Sequence, residues 1–127
     1  MSSALSLRPG SLSTNVVEDP LVNVTFQADV APGGGAGTIY SVQINNTANA
    51  AQDVYFKLFN HLGGGGFAIG TNAAHILLKG PAGTTKCYTI PQGITFNVGV
   101  TYACVTTADT AGVTSPPNAV GIIMQLT

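Results

Sequence analysis

The side chains that most often carry out catalysis or bind metals are few in this 127-residue chain, and they are scattered along it. His61 and His75 lack the H-x-x-H or H-E-x-x-H spacing that would place two imidazoles on one metal ion. The five carboxylates form no D-x-D or E-x-x-E pattern of the kind that holds a hard cation or supports acid–base catalysis. No G-x-S-x-G nucleophile elbow is present. The sequence therefore predicts a protein that is not an enzyme, with no catalytic, metal-binding or cofactor-binding residues.

Two runs of glycine, at 33–35 and 63–66, raise the question of phosphate binding, because backbone amides without side chains can surround an anion. Neither run precedes a helical pattern, and neither ends in G-K-[ST]. A run of four glycines also loses much backbone freedom on ordering and does not favour regular structure. Both runs are interpreted as loops.

Cys87 and Cys104 lie in two predicted strands of the C-terminal half, within Cys87-Tyr88 and Tyr102-Ala103-Cys104. Neighbouring strands could bring the two thiols within disulfide range. In a chain made inside a cell, two small buried apolar residues are the more common arrangement. We therefore favour free cysteines and keep a Cys87–Cys104 disulfide as the alternative.

The elements that must position these residues are short strands. From Leu21 to Val30 apolar and polar residues alternate, which predicts a half-buried antiparallel strand. Further strands are predicted at 40–44, 54–59, 74–79, 84–90, 94–96, 100–106 and 120–126, separated by Gly- and Pro-containing turns. About eight strands without any helical period predict an all-β fold, an antiparallel β-sandwich or jelly roll. The last strand runs nearly to the final residue, so we expect it to lie inside a sheet.

The first twenty residues are predicted to form an extended N-terminal arm, followed by one β-sandwich domain at 21–127. The arm carries spaced leucines around Arg8-Pro9-Gly10, a pattern too interrupted for a helix and too polar for a core. As a tether, the arm would lay Leu5, Leu7, Arg8 and Leu12 on a neighbouring subunit. The alternative is a frayed terminus.

The most informative property of the composition is the scarcity of charge. Charged residues make up 7% of the chain, against roughly 25% in typical soluble proteins, while apolar residues make up 45%. A surface with so little charge favours association, so we expect the domain to pack against other proteins. The alternative is a monomer with an unusually neutral surface. A net charge of −1 argues against direct nucleic-acid binding. We expect no signal peptide and no membrane insertion, because neither a basic n-region nor a spanning apolar stretch is present.

Several short motifs occur in a recognisable order. The segment Gly37-Thr-Ile-Tyr-Ser-Val-Gln-Ile-Asn-Asn-Thr-Ala-Asn-Ala-Ala-Gln-Asp-Val-Tyr-Phe-Lys-Leu-Phe-Asn60 contains an N-T turn that leads into a Y-x-K-L-F strand. It is followed by Pro81-Ala82-Gly83, by Ile90-Pro91-x-Gly93-Ile94-x-Phe96-x-x-Gly99-Val100, by Val105-Thr106-Thr107 and by a terminal apolar strand. This order resembles small β-sandwich virion structural proteins of tailed bacteriophages, of the decoration or cement type. The glycine run at 63–66 departs from the pattern, and the first thirty residues lie outside it.

The resemblance implies a virion protein that is made in the bacterial host cytoplasm and supplies no catalytic residues. Its most concrete form is a capsid decoration or cement protein that binds across major capsid protein subunits as a homo-oligomer, with a trimer expected. The alternative is a tail or neck component: an adaptor, fibre or spike-associated protein that contacts other virion proteins. A carbohydrate-binding module is a weaker alternative, because the chain has no Trp and its four tyrosines all lie inside predicted strands.

Overall fold

A computed structural model describes residues 5–7 and 15–127, and in this part of the chain it contains strands but no helix, hence none that could span a membrane. The strands are β1 (Leu5–Leu7), β2 (Asn15–Val22), β3 (Gly37–Asn45), β4 (Val54–Asn60), β5 (Ile76–Gly80), β6 (Thr85–Phe96), β7 (Val100–Val105) and β8 (Val120–Leu126).

The strands form two antiparallel sheets, one with the order β1-β2-β8-β3-β6 and one with the order β5-β4-β7. The prediction of an all-β sandwich is confirmed. β8 pairs with β2 on one side and with β3 on the other, so the C-terminal strand lies inside the larger sheet as expected. The pairing of β2 with β8 brings together two strands from opposite ends of the chain.

The core lies between the two sheets and follows the period-2 alternation of the strands. In β8 the buried positions are Val120, Ile122, Met124 and Leu126, and in β3 they include Ile39, Val42 and Ile44. The smaller sheet contributes Val54, Phe56, Leu58, Val100, Tyr102 and Cys104. The rings of Phe56 and Tyr102 pack with centroids 5.3 Å apart. Alternation in the sequence therefore reports which side chains meet between the sheets.

The predicted strand Leu21–Val30 is wrong: only Leu21 and Val22 belong to a strand, and they end β2. The chain then crosses to the smaller sheet, where residues 23–30 run irregularly along the free edge of β7. Gln27 and Tyr102 exchange two backbone hydrogen bonds of 2.9 and 3.0 Å, and the Val30 amide donates to the Val100 carbonyl. Asp29, with a φ of 53°, interrupts the extended backbone. Alternating apolar and polar residues indicate a half-buried extended segment, but they do not show whether that segment pairs with a neighbour in a regular β-ladder.

The predicted arm at 1–20 also meets the sheet earlier than expected. β2 begins at Asn15, and its residues 15–19 pair with β8, so the strand crosses the boundary placed between 20 and 21. β1 folds back on β2, with Leu5 opposite Val17. The side chains of Leu5 and Leu7, and Arg8 and Leu12 altogether, lie outside the described residues, so their proposed contact with a partner stays a prediction.

Two predicted strands, at 84–90 and 94–96, are joined in the single long strand β6 at the edge of the larger sheet. The expected turn at Pro91-Gln92-Gly93 is instead an irregularity in the register with β3, which shifts between Ile39 and Ser41. An edge strand tolerates Pro at such a point because one side of its backbone has no ladder partner. Gly93 has a φ of 73°, and a Cβ there would lie 2.4 Å from Thr38 Cγ2, so this position requires glycine.

Loops cover the outer side of β4 and β7, so these two strands are buried on both faces, whereas Leu77 and Lys79 of β5 stay exposed. Phe67 packs edge-on against Phe59 of β4 and against Phe26, with centroids 4.9 and 4.8 Å apart. The glycine run at 63–66, predicted as a loop, leads directly into Phe67. These loops leave the larger sheet as the only one of the two with a broad open face in the described residues.

Candidate interaction surface

The two histidines have structural environments. His61 Nδ1 accepts a 2.8 Å hydrogen bond from the Gly63 amide, and its ring packs against Phe67. His75 packs edge-on against the buried Phe96 with centroids 4.7 Å apart. Residues 5–7 and 15–127 contain no group of three or more His, Cys, Asp or Glu side chains that could hold a metal ion.

Asp19 is a buried carboxylate that the sequence analysis did not single out. It is 0% exposed and points inward from β2 between Val17 and Val22. Its Oδ2 accepts a 2.7 Å hydrogen bond from the Tyr102 hydroxyl, and its Oδ1 accepts one of 3.0 Å from the Leu21 amide. Burial, reinforced by this carboxylate, raises the pKa of Tyr102. No sequence signal indicated this role, because residues 15–22, Asn-Val-Val-Glu-Asp-Pro-Leu-Val, do not alternate and Asp19 lies in the segment predicted as an arm.

Lys57 is a second buried ionisable group, 2% exposed, on the outer side of β4 beneath the loop that follows β7. Its Nζ donates a 2.7 Å hydrogen bond to the backbone carbonyl of Asp109. Loss of hydration lowers the pKa of Lys57, and the nearby charge of Asp109 opposes this effect. The contact fastens the 106–118 loop to the smaller sheet.

The two cysteines are both free, as favoured from the sequence, so the alternative Cys87–Cys104 disulfide is not formed. Cys104 lies in β7 of the smaller sheet, where burial raises the pKa of its thiol to about 12. Cys87 lies exposed in β6 at the edge of the larger sheet. The two strands belong to different sheets, which the sequence could not reveal.

The larger sheet presents an open side that we call the outer face. Its members are the residues that alternate with the buried ones on β2, β8, β3 and β6. They are Val16, Glu18, Thr38, Tyr40, Ser41, Gln43, Asn45, Thr85, Cys87, Thr89, Thr95, Gly121, Ile123 and Gln125. The strand register arranges eleven of them in three rows: Val16-Gln125-Ser41-Thr89, Glu18-Ile123-Gln43-Cys87 and Gly121-Asn45-Thr85.

Hydrogen bonds between side chains of neighbouring strands connect parts of the outer face. Ser41 Oγ donates to Gln125 Oε1 at 3.1 Å, and the hydroxyls of Thr38 and Thr95 are 3.3 Å apart. Cys87 Sγ lies 3.6 Å from Gln43 Oε1. Such cross-strand pairs stabilise the sheet and limit the freedom of the side chains that make them. The face is therefore a preorganised surface of mainly polar groups, with Val16, Ile123 and the Tyr40 ring among them.

Charge is nearly absent from the outer face, where Glu18 is the single ionisable carboxylate and no Lys or Arg occurs. Of the cationic side chains in the described residues, Lys57 is buried in the smaller sheet. Lys86 is exposed and lies on the opposite side of β6 from the outer face, since it pairs with Ile44. Lys79 lies 3.4 Å from Asp53 in an exposed ion pair on the smaller sheet. The outer face is thus as poor in charge as the chain as a whole, in which 7% of the residues are charged.

One depression interrupts the outer face near its β2 edge. It is lined by Glu18, Asp19, Pro20, Gln43, Asn45, Gly121, Ile122 and Ile123 and has a volume of about 140 Å³. It forms because Gly121 has no side chain and because the register of β2 against β8 shifts between Asp19 and Val22. We call it the Gly121 trough.

No family model, no curated protein and no solved structure matches the chain.

Proposed function

We propose that this chain is a structural protein of a bacteriophage virion, most concretely a capsid decoration protein that binds across neighbouring major capsid protein subunits through its outer face. The observation that carries the proposal is the near absence of charge on a broad, preorganised sheet surface. The order of motifs between Gly37 and Val105, which resembles small phage virion proteins, supplies the setting.

An uncharged polar face suits permanent contact with another protein. Removing an ion from water costs several kcal/mol unless an excellent partner is provided, and the cores of protein interfaces are correspondingly depleted in charged residues. Ser, Thr, Asn and Gln side chains can instead be satisfied by single hydrogen bonds across the interface. The outer face can therefore be dehydrated at low cost except at Glu18, whose carboxylate needs a hydrogen-bond donor from the partner.

The size of the face favours contact with more than one neighbour. Four strands about 4.8 Å apart, with rows about 6.8 Å apart, give a surface of roughly 400 Å² once side chains are included. A standard interface buries about 800 Å² on each partner. A decoration protein that sits on a joint between subunits would reach that area by adding contacts from other parts, such as the N-terminal arm. Its function is then the added stability of the lattice.

The test is the composition of purified particles. We expect mass spectrometry to find the protein in virions at a copy number that approaches that of the major capsid protein. A copy number near about six or twelve would instead indicate a tail or neck component, because these follow the closed symmetry of the tail axis. Absence from virions overturns both assignments. Specific retention on a glycan array would favour a carbohydrate-binding module.

Cys87 offers a direct probe of the docked surface, because it is exposed and lies in the second row of the outer face. We expect maleimide to label Cys87 rapidly in the free protein and slowly in the particle. Thr89→Lys, which places a charge in the first row, should prevent particle binding. Ala73→Lys is the matched control, since Ala73 is exposed in the loop before β5. Equal binding of both variants would show that another surface docks.

A further inference from the structure

We propose that the Gly121 trough receives one side chain of the neighbouring subunit, and that this side chain ends in a primary carboxamide, as in Asn or Gln. The inference rests on the proposed function, because it names what enters the outer face on docking. It starts from the trough as a depression in the otherwise flat surface of rows.

The trough has the size of a side chain rather than of a cofactor. Its volume is about 140 Å³. A water molecule occupies ~30 Å³ of liquid, so the space holds roughly four or five waters or the end of one long side chain. Ile123 supplies an apolar wall for the methylene groups of the entering side chain. Gly121 lies in the third row, so the opening is continuous with the docking surface.

Few of the lining groups are free to bond a ligand. Asp19 lines the trough, but both of its carboxylate oxygens already accept hydrogen bonds, from the Tyr102 hydroxyl and the Leu21 amide. The groups that remain are the Glu18 carboxylate and the carboxamides of Gln43 and Asn45. Within the described part of the chain, the Glu18 carboxylate forms no ion pair.

The orientation of Asn45 is fixed by its neighbours. Its Oδ1 accepts hydrogen bonds from the Thr47 amide at 3.1 Å and the Thr47 hydroxyl at 2.6 Å. Because a backbone N–H can only donate, the oxygen must face Thr47, and the two protons on Nδ2 remain for another acceptor. Gln43 Oε1 faces the Cys87 thiol, which leaves its Nε2 as a donor too.

The trough therefore combines donors from Asn45 and Gln43 with an acceptor from Glu18. A lysine or arginine would satisfy Glu18 but would bring its own donors against those of Asn45 and Gln43. A carboxylate would satisfy the donors but would be repelled by Glu18. A primary carboxamide carries both an acceptor oxygen and an NH₂ donor, and it matches the whole set.

The experiment titrates the purified, isotope-labelled protein with three small compounds and follows the backbone amide resonances of Asn45, Gly121 and Ile123. The compounds are N-acetylglutamine methylamide, N-acetyllysine methylamide and N-acetylglutamate methylamide. We expect saturable shifts with the glutamine compound at a dissociation constant of about 1–10 mM, and binding at least about tenfold weaker for the other two. Absence of saturable shifts at these three residues with the glutamine compound overturns the proposal.

Substitutions in the trough separate the occupants. Asn45→Asp keeps the acceptor for Thr47 and removes the Nδ2 donor, so it should weaken binding of the glutamine compound about tenfold. If the natural occupant were a cation, the same substitution would strengthen binding of the lysine compound above that of the glutamine compound, which would overturn the carboxamide assignment. Gly121→Val should abolish binding by filling the trough. Thr85→Val, at the far end of the same row, is the matched control and should bind normally.

Gly121→Ala provides a milder version should the valine disturb folding, because a Cβ at Gly121 would lie 3.4 Å from Asn45 Cβ, an ordinary contact. It should also weaken binding of the glutamine compound. The result is independent of the virion test. If the protein is absent from particles yet binds the glutamine compound, the proposed function is disproved, but the Gly121 trough is still a carboxamide site. If the protein is present in particles but does not bind the glutamine compound, the proposed docking face is retained and the carboxamide site in the Gly121 trough is disproved.

Discussion

The hydroxyl of Tyr102 donates a 2.7 Å hydrogen bond to Oδ2 of Asp19, and both side chains are 0% exposed. The bond joins β7 of the smaller sheet to β2 of the larger one across the interior. A buried carboxylate that loses its hydrogen-bond donor is left without either water or a protein partner, which is costly in free energy. We therefore expect this contact to be a major determinant of stability.

Tyr102→Phe removes only this hydroxyl and leaves the shape of the core unchanged. We expect the free energy of unfolding to fall by about 1–3 kcal/mol, because a buried carboxylate oxygen loses its donor. Tyr88→Phe is the matched control, since the Tyr88 hydroxyl donates to the Lys79 carbonyl at 2.6 Å in an exposed position. Chemical denaturation compares the two variants, and an equal loss in both would contradict a special role for the buried bond.

The lowered pKa of Lys57 makes a pH dependence testable. At neutral pH the ammonium is charged in both the folded and the unfolded chain, so the cost of burying it is fully present. As the pH rises towards the ordinary lysine value of about 10.5, the folded protein releases its proton first and this cost fades. The stability of the wild type relative to Lys57→Met should therefore increase between about pH 7 and about pH 10. Denaturation of both proteins at each pH measures the difference, and a constant difference would refute the assignment.

The two thiols should differ in reactivity. Cys104 is buried, with its pKa raised to about 12, whereas Cys87 is exposed. Because the thiolate is the reactive form, an aromatic disulfide reagent should titrate one thiol in the folded protein and two in denaturant. Cys87→Ser should leave no rapidly reacting thiol in the folded state. Failure to find two thiols in denaturant under non-reducing conditions would show that a disulfide had formed.

Gly80 marks a close approach between the two sheets. A Cβ at this position would lie 2.7 Å from Ile44 Cγ2 and 2.9 Å from Val54 Cγ2, both inside the core. Gly80→Ala should therefore lower the free energy of unfolding by about 1–3 kcal/mol through overpacking. Gly64→Ala is the control, because nothing lies within 4 Å of its added methyl group. Equal melting temperatures for the two variants would contradict the packing described.

The sequence predicted the elements better than their partners. Alternation located β3, β4, β7 and β8, because residues such as Ile44 and Met124 must face the core whatever strands lie beside them. It could not predict that β8 would lie between β2 and β3, since that register depends on contacts between the two ends of the chain. The outer face depends on this pairing, so the scarcity of charge predicted an interaction surface without indicating the face that we propose for it.

The Gly121 trough was missed for a related reason. A glycine within a predicted strand is a known sign of a bulge or of a close approach by another backbone. Here Gly121 follows Val120 at the start of the last strand, where it resembles a turn residue. Its meaning becomes clear only when Asn45 and Glu18 are placed on either side of it by the register.

The irregular segment at 23–30 has a consequence for behaviour at high concentration. By bonding to the backbone of Tyr102 and Val100, it occupies the groups that a second chain would need in order to add a strand to β7. At the edge of the larger sheet, Pro91 removes one donor and Gly93 bends the backbone of β6. In the proposed setting, where many copies share one surface, these features hinder the growth of fibrils from the β7 and β6 edges and favour contact through the faces of the sheets.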